Sequence, residues 1–411
     1  MLDRLTIERM LAWTGEKPVL LALSGGGDSV ALLHLLVGEI GAARVRAVIV
    51  DHALRQGSCE DAARARGFAE SLGVSAGLLK IDWREGANRA QEAAREARYR
   101  AICAYARGQG LNTLLAAHTA DDQAETVLMR AAKGSTWRGL AGIAPFAFAP
   151  LWPDGRGIAL ARPLLGARRK ELRAYLRERG AEWIEDPANA NIAYERVRVR
   201  ARLDLLERDG FEPLRLAGVA ARLRRRAEAL DRAAADLIHN AVQPGLVTRL
   251  TIAAWAGPRD VRHRALSALI AAASGSAREP AWTDLAAVER RVTDTAHRGS
   301  TYGGVVFTPS ADGLRLSREP GAVLGRAEGT PPLAPLQLPK NVEAVWDGRL
   351  SATASEEGWR IVPARNSELA AFENGIVQKR YDEMRETLRL KPLAAARLAH
   401  AFAPDINRAK P

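Results

Sequence analysis

Strand-length apolar runs alternate with helix-length stretches through the first half of this chain, and that alternation constrains the fold more than any other feature. Val19 to Leu23 reads as a buried strand, Val30 to Ile40 as a helix, Val45 to Val50 as a second strand and Glu60 to Leu72 as a second helix. Ala76 to Ile81 is a third strand, and Ala90 to Arg107 a strong helix closed by Gly108 and Gly110. Thr113 to Ala117 is a fourth strand, with Ala120 to Ala132 the helix after it. Such a pattern predicts an α/β fold, a twisted parallel sheet with helices on both faces. Ligands of these sheets sit at the carboxyl ends of the strands. Ser24, Asp51 and His118 each fall at such an end.

The pattern breaks into a Pro/Gly-rich loop or hairpin between Pro145 and Pro163. A basic amphipathic helix (Gly166 to Gly180) and another helix (Val197 to Asp209) close a first domain over residues 1–212. Residues 213–328 read as a mostly helical domain ending in a hairpin, Val305 to Phe307 against Leu314 to Leu316. Gly329 to Pro335 is a linker, and 336–411 a small α+β module. Its short strand signals give way to helical stretches from Ser367 to Ala401, with breaks at Gly375 and Pro392.

At 411 residues, two or three domains are expected. No apolar run approaches the ~20 residues a bilayer needs, and no signal-peptide pattern opens the chain, so a cytoplasmic protein without a membrane partner is expected. The only cysteines, Cys59 and Cys103, exclude a disulfide framework, a redox pair and a cysteine-based metal site. A net charge of +12, mostly from arginine, points to a polyanionic partner, while 5% aromatic content argues against a surface built on base stacking.

Ser24-Gly25-Gly26-Gly27-Asp28-Ser29 lies between a buried strand and a helix. Glycines allow close backbone approach and a helix start offers free N–H groups, so the segment is a phosphate cradle. It is neither a Walker A loop nor a Gly-x-Gly-x-x-Gly turn. Arg168, Arg169 and Lys170, then Arg196, Arg198 and Arg200, form basic runs expected to track the phosphates of a nucleic acid.

Ser-Gly-Gly-x-Asp-Ser after a first strand resembles the PP-loop of the N-type ATP pyrophosphatases. Further segments are similar to those of one branch, the tRNA(Ile)-lysidine synthetases: Asp51-His52-Ala53-Leu54-Arg55, Ala94-Arg95-Glu96-Ala97-Arg98-Tyr99, and His118-Thr119-Ala120-Asp121-Asp122-Gln123-Ala124-Glu125-Thr126. Arg130, Gly134, Gly139, Gly142, Arg162 to Leu165, Trp183, Asp186-Pro187 and Asn189 continue in register. The family's Arg-Asn-x-x-Arg pattern is altered, since Val197 follows Arg196. The likeness is dense from residue 19 to about 202 and loose beyond 212.

The resemblance implies an adenine nucleotide alpha hydrolase-like domain and an ATP-dependent carbon–nitrogen ligase. ATP would adenylate O2 of the wobble cytidine in tRNA(Ile) with a CAU anticodon, releasing pyrophosphate. The ε-amine of L-lysine would then attack C2 and expel AMP. Ser24, Gly25, Gly26, Gly27, Asp28, Ser29, Asp51 and His52 are the implied ATP-binding set. Asp28, Arg95, His118, Asp122 and Glu125 are the catalytic candidates. Asp28 and Asp122 are candidate Mg²⁺ carboxylates, and Asp122 and Glu125 would hold lysine. Arg55, Arg168, Arg169, Lys170, Arg196, Arg198 and Arg200 are the expected tRNA contacts, and a homodimer is the assembly to test. The competing readings are a tRNA thiotransferase, an amide-forming ligase for a small metabolite, and a non-catalytic RNA-binding module.

Overall fold

The computed structural model describes residues 1–53, 57–83, 91–185, 191–280, 282–293, 299–326, 329, 331–363, 375–377 and 387–402. The chain forms two compact units, the first reaching from Met1 to Glu228 and the second from Ala229 to Phe402.

The first unit holds α1 (Arg4–Thr14), β1 (Val19–Ala22), α2 (Gly27–Ile40), β2 (Val45–Asp51), α3 (Ser58–Ser71) and β3 (Ser75–Lys80). It continues with α4 (Gln91–Gly108), β4 (Thr113–Leu115), α5 (Ala120–Ala132), α6 (Trp137–Leu140), β5 (Phe146–Phe148) and β6 (Ala159–Ala161). Then come α7 (Arg169–Glu178), α8 (Glu195–Arg208) and the start of α9 (Pro213–Ala241). The sheet runs β3-β2-β1-β4-β6-β5, with all neighbours parallel except β5 and β6. The expected α/β architecture is therefore the observed one, and the Pro145 to Pro163 stretch is an antiparallel strand pair on the sheet's edge.

Side chains alternate across a strand, and both faces of this sheet are covered. Val19 and Leu21 enter one core, with Leu32, Leu33 and Leu36 of α2 and Leu172 and Leu176 of α7. Leu20 enters the other, with Ile102 and Ala106 of α4. Leu21 is fully buried, so truncation to alanine would cost about 2–5 kcal/mol. Successive strands lie to one side of β1 as β2 and β3, and to the other side as β4 and β6. The strand order thus reverses between β1 and β4, which opens a crevice at their carboxyl ends.

The first compact unit ends at Glu228, within α9. The first turns of α9 pack on this unit, where Arg224 Nη2 donates to the carbonyls of Ala141 and Gly142 at 3.1 and 2.7 Å.

The middle of the chain is helical, as expected, and carries a sheet beside its helices. The rest of α9, α10 (Arg259–Ser274) and α11 (Trp282–Thr293) accompany a five-stranded antiparallel sheet. Its strands are β7 (Val242–Gln243), β8 (Thr248–Thr251), β9 (Ser300–Tyr302), β10 (Val305–Ser310) and β11 (Gly313–Arg318), in the order β7-β8-β11-β10-β9. The expected hairpin is the β10–β11 pair. After α12 (Pro320–Leu324) come β12 (Leu336–Gln337), β13 (Ala344–Trp346), β14 (Leu350–Ala354), β15 (Arg360–Pro363), β16 (Gly375–Val377) and β17 (Leu388–Pro392). These form two three-stranded sheets, β12-β15-β16 and β13-β14-β17, before α13 (Ala394–Ala401).

The helical reading from Ser367 to Ala401 is corrected here. Gly375–Val377 and Leu388–Pro392 are strands, and only Ala394–Ala401 is helical among the described residues of that stretch. Leu388-Arg-Leu-Lys alternates with period two, and pairing with β14 outweighs the helix propensity of its leucine, arginine and lysine. No helix among the described residues is long and apolar enough to cross a membrane.

Candidate active site

The chain leaves β1 through Leu23 and turns at Gly25, whose φ of 80° lies in the left-handed region that favours glycine. A Cβ there would meet Ile184 Cδ1 at 2.5 Å, because Ile184 N donates to Gly25 O at 2.9 Å and draws that segment against the loop. Gly26 is the N-cap of α2, and the first-turn N–H groups of a helix have no intrahelical acceptor. Ser24 Oγ and Ser29 Oγ lie 3.1 Å apart, and Ser29 Oγ donates to Gly26 O at 2.9 Å, which closes the loop on itself. A Cβ on Gly27 would meet Arg173 Nε at 2.5 Å, and that nitrogen is buried without a hydrogen bond. The Arg173 guanidinium, stacked 5.6 Å from the Trp183 ring, therefore overhangs the start of α2.

Across the crevice, β4 leads through His118 to Thr119, the N-cap of α5. Asp122 Oδ2 accepts from Thr119 N at 2.8 Å and from Thr119 Oγ1 at 3.0 Å, so a capping box fixes this carboxylate. Asp121 turns away and accepts Arg169 N at 2.7 Å and Arg168 Nε at 2.9 Å, which stabilises the positive end of α7. Glu125, one turn further, is fully buried.

One arginine joins the acids. Arg169 Nε donates to Asp28 Oδ2 at 3.0 Å, Nη2 to Asp122 Oδ1 at 3.0 Å and Nη1 to Glu125 Oε1 at 3.3 Å. Arg200 Nε also reaches Glu125 Oε1, at 2.9 Å. Arg196 Nε lies 2.9 Å from Glu125 Oε2 but is not aligned to hydrogen-bond it. Burial raises the pKa of Asp28 above its ordinary value, against the pull of Arg169, and the neighbouring Asp122 charge adds to the rise. Burial acts on Asp122 in the same sense, but the Arg169 charge leads the groups that outweigh it and hold that carboxyl below its ordinary value. The same carboxylates raise the pKa of Arg169 despite its burial.

His118 is half-buried, with Nδ1 making no hydrogen bond. Burial first, then the Arg162 charge, push its pKa down to about 3, so the imidazole is neutral at physiological pH. Arg95 is exposed, lies 5.0 Å over the Tyr99 ring, and is near enough for its charge to act on His118. At the end of β2, Asp51 Oδ1 accepts Ala53 N at 2.8 Å and the His52 carbonyl accepts Trp83 Nε1 at 2.7 Å. The Asp51 carboxylate is thus engaged in its own turn, while His52 Nδ1 is buried and unpartnered.

The basic runs divide. Arg168 is buried, its two terminal nitrogens on Glu207 at 3.2 and 2.8 Å, and Arg169 lies inside the acidic cluster. Both guanidinium groups are engaged by carboxylates rather than turned to solvent. Lys170 is exposed and pairs with Glu207 at 3.0 Å. Arg196 and Arg200 turn toward Glu125, and Arg198 is exposed, donating to the carbonyls of Ile192 and Ala193 at 2.8 Å. Arg55, Asp186-Pro187 and Asn189 lie outside the described residues. From the sequence, Arg169 is placed with the tRNA contacts and not with the acids, although the pattern of α7 carries a signal. Arg169, Leu172, Arg173 and Leu176 share one helical stripe, and both leucines are fully buried.

Residues 3–206 match the PP-loop domain family. The chain is 38% identical over 322 residues to the tRNA(Ile)-lysidine synthase of Hyphomonas neptunium, covering 74% of this chain and 83% of that one. It is 36% identical over 336 residues to the enzyme of that name from Ruegeria pomeroyi, covering 80% and 74%. With the one from Methylobacterium sp. it shares 39% over 312 residues, covering 74% and 89%. Similarity that runs through most of both chains reaches well past the nucleotide-loop domain, and this chain belongs to the tRNA(Ile)-lysidine synthase family.

Proposed function

We propose that the chain joins L-lysine through its ε-amine to C2 of the wobble cytidine of tRNA(Ile) with a CAU anticodon, using ATP. In the first step, O2 of the cytidine attacks the α-phosphate and pyrophosphate leaves. In the second, the lysine amine attacks C2 and AMP departs. The observation that carries this reading is the meeting of the Ser24–Ser29 loop with Asp28, Asp122 and Glu125 around one point at the ends of β1 and β4. A phosphate cradle beside a cluster of buried carboxylates suits an anionic nucleotide next to a cationic amino acid.

In this reading the loop backbone and Arg173 receive the departing pyrophosphate charge. Mg²⁺ favours oxygen donors and keeps several waters, so one or two carboxylates suffice. Asp28 Oδ1 is buried without a hydrogen bond and fits that requirement, whereas both oxygens of Asp122 are already engaged, by Thr119 and Arg169. When bound, the ion would offset charge on the phosphates. Asp122 and Glu125 hold the lysine ammonium, and one of them takes its proton so that a neutral amine can attack. His118, neutral at working pH, serves as a hydrogen-bonding group beside the base.

The sulfur-transfer alternative would have to rest on Cys59 alone, since burial pushes the Cys103 thiol up to about 12. Incorporation of radiolabelled lysine into purified tRNA(Ile) tests the reading. Transfer should need ATP, fail with elongator tRNA(Met) and be lost in Asp28→Ala. Pyrophosphate release with another RNA or amine, and no lysine transfer, would discard it.

A further inference from the structure

The carboxylate cluster already contains a cation belonging to the chain. Arg169 directs three different nitrogens to three carboxylates on two helices, with 17% of its side chain exposed. The acceptors it uses are those an incoming ammonium would need. Asp122 Oδ2 is committed to Thr119 N and Oγ1, leaving Oδ1, which Arg169 holds. Glu125 Oε1 is shared between Arg169 and Arg200, while Oε2 of this fully buried side chain makes no hydrogen bond.

Charge leads to the same point. Three carboxylates (Asp28, Asp122 and Glu125) face three guanidinium groups (Arg169, Arg196 and Arg200), so the cluster is balanced before any ligand arrives. A further ammonium would leave an excess positive charge beside the buried Asp122 and Glu125, which is unfavourable unless one cation leaves. Arg169 is the cation whose nitrogens occupy the acceptors in question. Its backbone N–H is anchored by Asp121 Oδ2, so the long side chain can swing while the start of α7 stays fixed.

Resting on the lysine subsite proposed above, we infer that Arg169 is an internal substitute for the substrate's ammonium. It fills the subsite of the unliganded enzyme, keeps Asp122 and Glu125 converged, and is displaced from both when lysine binds. Selectivity follows from the exchange. A ligand must bring both positive charge and N–H donors to release Arg169, and a neutral analogue of equal length lacks the charge.

Isothermal titration of the full chain with L-lysine, in the presence of Mg²⁺ and α,β-methylene-ATP, compares the wild type with Arg169→Gln and Arg169→Lys. Arg169→Gln should bind lysine at least about fivefold more tightly, because the competent state no longer has to be freed from an internal partner. Arg169→Lys, a point charge without the planar fork, should fall between the two. Equal or weaker binding by Arg169→Gln, or no binding by either it or the wild type, overturns the proposal. If Arg169→Gln does not fold by circular dichroism, Arg169→Lys alone decides, and equal or weaker binding by it has the same meaning. Adding Glu125→Gln to Arg169→Gln separates this inference from the reading beneath it. Lysine binding that survives undiminished would show that the subsite lies elsewhere.

Discussion

Glu125 Oε1 accepts a hydrogen bond from Arg200 Nε at 2.9 Å, which ties a fully buried carboxylate on α5 to α8. Glu125→Gln keeps the shape and removes the charge that Arg200 and Arg169 share. Because Arg200 keeps partial access to water, the loss should be about 1–3 kcal/mol rather than the full cost of an orphaned buried ion. Urea denaturation at pH 7 measures it, and a midpoint unchanged from wild type would mean the pair contributes nothing to the fold. Lysine transfer should fall at the same time.

Asp28 and Asp122 should respond to pH in opposite senses. Asp28 has a pKa above its ordinary 3.8, chiefly from burial, so its ionisation opposes folding as pH rises through and beyond that value. Asp28→Asn should therefore raise the melting temperature at pH 7, with the gain vanishing below about pH 3.8. The folded pKa of Asp122 is depressed, since its ion pairs outweigh burial, so it contributes stability above 3.8 that is lost as pH falls through the folded value. Asp122→Asn should lower the melting temperature at pH 7, with the deficit fading in acid. Shifts of the same sign at pH 7 would contradict this division.

Gly25 and Gly27 should differ although both adjoin the cradle. Gly25→Ala puts a side chain at φ 80° and 2.5 Å from Ile184 Cδ1 in a packed core, which should cost about 1–3 kcal/mol. Gly27→Ala meets Arg173 Nε, part of a flexible side chain that can shift, so stability should change little while ATP affinity falls. Thermal melts and nucleotide titrations of both variants distinguish these outcomes.

Arg168 and Arg198 stand close in sequence but should act on different observables. Arg168→Ala removes a buried fork on Glu207 and should lower stability without changing the salt dependence of tRNA binding. Arg198 is exposed, and Arg198→Ala should reduce the slope of log K against log salt by about 1 while leaving the melting temperature within about 1 °C. The reverse assignment would return Arg168 to the phosphate track.

Local patterns determined much of this protein. Strand-length apolar runs, helix-length stretches and glycine punctuation are short-range signals, and they were enough for the order of elements from β1 to α5 and for the loop at Ser24–Ser29. The acids of α5 were also legible as a group, because Asp121, Asp122 and Glu125 lie within two helical turns. Tertiary structure alone decided how those acids are used. Asp121 caps α7, Asp122 is locked by Thr119, and Glu125 is drawn between α7 and α8. Only there does Arg169, 141 residues from Asp28 in sequence, reach it. An arginine run looks the same whether it faces solvent or buried carboxylates, since charge is a property of the residue and its partner a property of the fold. The same limit applies to Leu388–Pro392, where strand or helix was settled by the presence of β14 alongside rather than by the five residues themselves.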